Sequence, residues 1–209
     1  MRVVILIIGL CLTCCSSYLS QSHVQQKSPT VDQLKEFRLV IPKETWEPIF
    51  FKAIDERAAL AKLPNLRAIR LSNDDLETRI WIGFGLTALR GFDLNRSAGQ
   101  WTGIYIQGIR PQLSPREYEK VLAAPKSGWQ SLWQRLSDKG ILALPDARAI
   151  ACEGGALDGV SYVVENNFDN TYRTYMYDNP QFAKCKEAKQ IIEIVDTFYD
   201  EFGSQLPRE

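Results

Sequence analysis

An unbroken apolar run at residues 3–12, directly behind Met1-Arg2, constrains this chain more than any other feature. Ten residues of helix rise only about 15 Å, half of the ~30 Å hydrocarbon core of a bilayer. The run is too short to span and has the length of a signal-peptide h-region, with Arg2 as a minimal positive n-region. Leu12-Thr13-Cys14-Cys15 follows, with leucine three residues before Cys15 as in a bacterial lipobox. On that reading Cys15 is acylated and becomes the mature N-terminus. Cys14 stands where Gly or Ala is usual, so cleavage a few residues later without a lipid remains the alternative. Residues 1–15 are then a signal segment, and residues 16–30, rich in Ser and Gln, a flexible tether. Residues 31–205 are left to fold as one domain. The expected location is the cell envelope, with the membrane as a partner through the N-terminal lipid.

That compartment agrees with the cysteines and the charge. Beyond the signal segment only Cys152 and Cys185 remain, 33 residues apart. An even pair in an oxidising compartment suits a disulfide; two buried thiols acting as small hydrophobes are the alternative. The 25 basic residues are matched by 25 acidic ones, so no basic field exists to neutralise phosphates and no nucleic-acid partner is expected. The single histidine, His23, lies in the tether. The domain therefore lacks the base of Ser-His-Asp or Cys-His catalysis and the usual zinc ligand. No Gly-x-Gly-x-x-Gly or Walker-type loop is present. Neither a cofactor nor a metal site is expected.

Periodicity predicts an α+β domain: an antiparallel sheet with helices packed on one face and a long C-terminal helix. Residues 44–63 carry helical apolar spacing, stopped by Pro64. Leu76, Thr78, Ile80, Ile82 and Phe84 alternate with Glu77, Arg79 and Trp81, as in a half-buried strand. Residues 86–96 and 101–107 are the next strands, joined by a Ser-Ala-Gly turn. Ser114-Pro115-Arg116-Glu117 reads as a capping box opening a helix to about Ala124. Trp129, Leu132, Trp133 and Leu136 mark another helix, with Gly140 just past its end. Residues 160–165 and 172–177 form a hairpin around Asn166-Asn167-Phe168-Asp169-Asn170. Asn179-Pro180 then starts a helix whose apolar stripe runs from Phe182 to Phe202.

The hairpin supplies the candidate binding surface. A five-residue loop at residues 167–171 sets Glu165 opposite Arg173, Val163 opposite Tyr175 and Ser161 opposite Tyr177. Glu165, Arg173, Tyr175 and Tyr177 then share one face, an ion pair beside two amphipathic rings of the kind common in recognition surfaces. Tyr172, Thr174 and Met176 point to the core. A covered sheet face held by a cross-strand ion pair is the structural alternative. No catalytic residue is assigned, although Glu165 and Asp158 are the acids to test for glycan hydrolysis, which needs two facing carboxyls. Trp129 and Trp133 read as core. Trp81 and Trp101 fall on the polar side of their strands, as an exposed pair or beneath a helix.

Gly128-Trp129 with Leu132-Trp133, Leu144-Pro145-Asp146, Asp158-Gly159-x-x-Tyr162-x-x-Glu165 and Tyr172-Arg173-x-Tyr175-x-Tyr177-x-Asn179-Pro180 together resemble a set of exported bacterial proteins and lipoproteins with no assigned activity. The resemblance covers the second half of the chain. It implies export and a shared domain, and lends no catalytic residues. The expected function is a lipid-anchored envelope protein that binds another protein or an envelope glycan, with a carboxylate-dependent glycan hydrolase as the alternative.

Overall fold

The computed structural model describes residues 36–42, 47–72, 74–84, 87–108, 118–152 and 159–207. Cys15, the tether, the capping box at residues 114–117 and Asp158 lie outside them. The described residues form an α+β domain built on a seven-stranded sheet, ordered β1-β7-β6-β2-β3-β4-β5. The strands are β1 (Arg38–Val40), β2 (Leu76–Phe84), β3 (Thr87–Ser97), β4 (Gln100–Ile106), β5 (Glu119–Val121), β6 (Ser161–Phe168) and β7 (Thr171–Asp178). Every pairing is antiparallel except β1 with β7. The helices are α1 (Glu47–Leu60), α2 (Trp129–Asp138) and α3 (Lys186–Phe202).

The helices divide between the two faces instead of sharing one. Leu132 and Leu136 of α2 and Ala188, Ile191, Ile194, Phe198 and Phe202 of α3 pack on Ile80, Phe92, Leu94, Val164, Tyr175 and Tyr177. Ile54 and Ala58 of α1, with Ala61, pack on the opposite face against Trp81, Ile106, Val163 and Met176. The alternation in β2 is real, but its charged side is not wet: Glu77, Arg79 and Trp81 are as buried as Ile80. Charges can enter that layer because they pair with one another, a pattern that single-strand periodicity does not reveal.

Two local expectations are corrected. Residues 119–121 are the edge strand β5, where the capping box predicts helix; pairing with β4 overrides the local signal. The final helix starts at Lys186, not at Pro180. Asn179 is left-handed (φ 47°) and Ala183 extended, so Pro180–Phe182 forms a separate 3-10 turn. Phe182 is 61% exposed and outside the stripe. Cys185 is the N-cap of α3, its sulfur accepting from the Ala188 N–H at 3.3 Å. The same residue is disulfide-bonded to Cys152, with the Cα atoms 5.9 Å apart. The bridge ties the start of α3 to the loop after the 3-10 turn Ala147–Ile150, a closure worth about 2–4 kcal/mol.

Candidate functional site

The hairpin turns in two residues, not five. Asp169 (φ 46°) and Asn170 (φ 56°) both take the left-handed conformation that a type I′ turn needs. Glu165 therefore faces Thr174, Val164 faces Tyr175 and Tyr162 faces Tyr177. A shift of one residue moves a side chain to the other face, so Glu165 is separated by the sheet from Arg173, Tyr175 and Tyr177. Tyr175, Tyr177 and Glu165 are all buried. The expected recognition surface is two interior layers.

On the α3 side, the predicted site residues clamp a stretch of irregular chain. Residues 141–145 lie against the sheet without helical or strand partners, so their carbonyls need side-chain donors. The Ile141 carbonyl accepts from Asn166 Nδ2 at 2.9 Å and from the Tyr175 hydroxyl at 2.8 Å. Arg173 donates to Leu142 O at 3.1 Å, Ala143 O at 3.4 Å and Leu144 O. The Tyr177 hydroxyl donates to Pro145 O at 2.7 Å. Asp146 then accepts from the Met176 N–H at 3.0 Å, capping the edge of β7. Burial pushes both tyrosine phenols up, which keeps them protonated as donors.

On the α1 side, Glu165 joins a polar layer. One carboxylate oxygen accepts from Trp81 Nε1 at 2.6 Å and the other from the Tyr172 hydroxyl at 2.7 Å. Arg67 stands 3.9 Å away, lies over the Phe51 ring at 3.7 Å and pairs with Asp55 at 2.6 Å. Beside this group, Arg79 pairs with Glu77 and with Asp93 at 3.2 Å, and donates to Pro64 O at 2.8 Å. Burial first, then the adjacent Glu77 charge, raises the Asp93 carboxyl to about 8 despite Arg79. These acids are buried on the sheet face that carries α1.

The raised Asp93 has a consequence for stability. Native Asp93 keeps its proton up to about pH 8, whereas an unfolded aspartate loses it near pH ~4. Between those values the native state binds more protons, so stability should fall as pH rises through that window. Asp93→Asn removes the titration and should flatten the slope. Urea midpoints measured from pH 4.5 to 8 check this; parallel slopes for the two proteins would show that Asp93 is not the titrating group.

The surface that sequence reading missed is made of tryptophan. Trp101 of β4 stacks on Trp129 of α2, with ring centroids 6.4 Å apart and planes 8° from parallel. Trp133 closes on the same ring at 5.4 Å, and the Arg96 guanidinium lies 5.5 Å from it. All three tryptophans are partly exposed. Gly103 makes the approach possible, because a Cβ there would come within 2.9 Å of Trp129 Cη2. Trp81 is not part of the cluster; it pairs with Gly91 on the other face. The available signal was Trp101 on the polar side of its strand, expected either exposed or beneath a helix; it lies beneath α2, and all three tryptophans pack against the main core. Gln130, Ser131 and Gln134 continue along the exposed side of α2.

No family model matches the chain, and no curated protein does.

Proposed function

We propose that this protein is exported and anchored through acylated Cys15, and that its domain binds an envelope glycan on the Trp101–Trp129–Trp133 surface. One observation carries the binding half of this reading. Three large indoles share a partly exposed surface beside a guanidinium and two side-chain amides. Burying such rings is worth more than leaving them in water. Partly exposed indoles flanked by hydrogen-bonding groups suit sugar rings, which have an apolar C–H face and a hydroxylated rim. The hydrolase alternative has less support, because both oxygens of Glu165 are already bonded to buried donors. The export half rests on the N-terminal sequence alone; among the described residues no helix is long and apolar enough to cross a membrane.

Two experiments test the halves separately. Cys15→Ser should release the protein from membranes or block its processing, and an unchanged membrane fraction would refute anchoring. Co-sedimentation of the folded chain with purified envelope glycan should show retention that Trp101→Ala and Trp133→Ala each weaken at least tenfold. Equal retention by all three proteins, or none by the wild type, would end the glycan reading.

A further inference from the structure

Arg57 carries a cation into the layer between α1 and the sheet. It is only 7% exposed, and Ile54 and Ala61, three residues before it and four after, are buried with it. Its Nε and Nη1 atoms are buried, and no group among the described residues accepts from either. Arg79 shows what a satisfied buried guanidinium has in this fold: two carboxylates and the Pro64 carbonyl. No such set surrounds Arg57 among the described residues. An arginine in the last turn of a helix can donate to the last carbonyls. Those of Arg57, Ala58 and Ala59 already accept from the N–H groups of Ala61, Leu63 and Lys62, at 3.1, 2.8 and 3.0 Å. Glu119 of β5 is taken by Lys62 at 3.0 Å. Glu56, the next residue, is exposed and lies about 100° around the helix. Burial outweighs the pull of Tyr118 and Glu56, so the guanidinium titrates below the ordinary arginine value.

We propose that Arg57 is the base of an oxyanion site between the end of α1 and the start of β5, taking one carboxylate or phosphate group of a small solute. A buried cation without a counter-charge is costly, and a bound anion supplies that charge. The kind of anion follows from the donor. A guanidinium presents planar forks of N–H groups that match two oxygens of a carboxylate or a phosphate, and each fork of Arg57 includes Nε or Nη1. The size follows from burial, because so small an open surface admits a single group and not a polymer. The place follows from Tyr118, directly before β5, whose phenol exerts the largest charge effect on Arg57. Lys62, with its side chain 74% exposed, bonds across the same junction to Glu119 and puts a second cation there. The site lies on the α1 face of the sheet, opposite the face that carries α2 and its tryptophans. It is therefore separate from the glycan surface, and its occupancy does not depend on that reading.

The test titrates the full-length chain, carrying isotope-labelled arginine, with formate and separately with inorganic phosphate. Sodium chloride holds the ionic strength constant. The Nε–Hε resonance of Arg57, assigned by its loss in Arg57→Met, should shift saturably with a millimolar Kd. Urea unfolding should show the folding constant rising about tenfold at ten times that Kd, since the anion binds the native state alone. A response to formate only makes the ligand a carboxylate, to phosphate only a phosphate, and to both an oxyanion of either kind. Arg57→Met and Arg57→Gln should not respond, and in chloride alone they should fold at least as stably as the wild type, because a neutral side chain is cheaper to bury. No saturable shift with either anion overturns the proposal. So does an equal rise in the variants, which would mark a general salt effect. A loss of about tenfold or more in the folding constant of both variants in chloride would show that the protein's own groups hold the guanidinium, and overturns it too.

Discussion

Arg79→Met should destabilise the domain by about 3–5 kcal/mol, because it strips buried Glu77 of its counterion among the described residues and buried Asp93 of a donor. Arg79 is 1% exposed, and Glu77 and Asp93 are 4% exposed each. With the guanidinium gone, both carboxyls stay in a layer sealed by α1, and Pro64 O loses its donor as well. Asn95 Nδ2, at 3.2 Å from Glu77, is the remaining neutral donor in the group. The cost belongs to the uncompensated Glu77 charge and the lost hydrogen bonds, not to the ion pair as a net source of stability. Adding Glu77→Gln and Asp93→Asn to Arg79→Met should therefore recover a large part of the loss, since neutral groups are cheaper to bury. Urea melts of the single and triple variants make the comparison. A triple variant less stable than Arg79→Met would mean that the charges themselves hold the segment after α1 in place.

Tyr175→Ala should cost about 3–5 kcal/mol, as deletion of a fully buried aromatic ring does. The ring is inaccessible and packs edge-on to Tyr177, with centroids 6.1 Å apart. Its hydroxyl contributes less than its bulk, because Ile141 O also accepts from Asn166. Tyr175→Phe should therefore cost about 1 kcal/mol or less. Among the described residues Pro145 O accepts from Tyr177 alone, so Tyr177→Phe should cost more than Tyr175→Phe. Equilibrium urea unfolding of the three variants is the measurement. A near-neutral Tyr175→Ala would require the Tyr175 ring to face solvent, contrary to the observed pairing with Val164.

β2, β3, β4, β6, β7 and most helix positions were legible because each is recorded locally, in the alternation of β2 and the spacing of Trp129, Leu132 and Leu136, whereas the short edge strands β1 and β5 were not. The hairpin face was not. Asn166 and Asn167 have the chemistry of turn residues, yet both lie in β6 and bury their amides. Asn166 accepts from Thr78 Oγ at 2.9 Å and donates to Ile141 O, while Asn167 donates to Leu66 O at 2.9 Å and Ile69 O at 3.0 Å. Those partners lie between 25 and 101 residues away, beyond any local window. Placing the turn one residue too early exchanged the two faces and with them the whole candidate site. The tryptophan surface was hidden for the same reason. Trp129 and Trp133 have core spacing, and only the tertiary pairing with Trp101 shows that the three form one partly exposed cluster.

The strand order also dictates when the molecule can exist during its own synthesis. β2, β3 and β4 form a meander within residues 76–106, and they are complete early. The other side of β2, however, pairs with β6 at residues 161–168. Trp81 meets Glu165 across a separation of 84 residues, and Thr78 meets Asn166 across 88. Until those residues emerge, β2 presents an unpaired edge and Arg79 has no finished layer around it. A chain that grows from its N-terminus cannot close this core part-way, since non-local pairings form only after the loops between them are made. Commitment to the folded state therefore falls in the last quarter of the polypeptide, once β6 and β7 have been made.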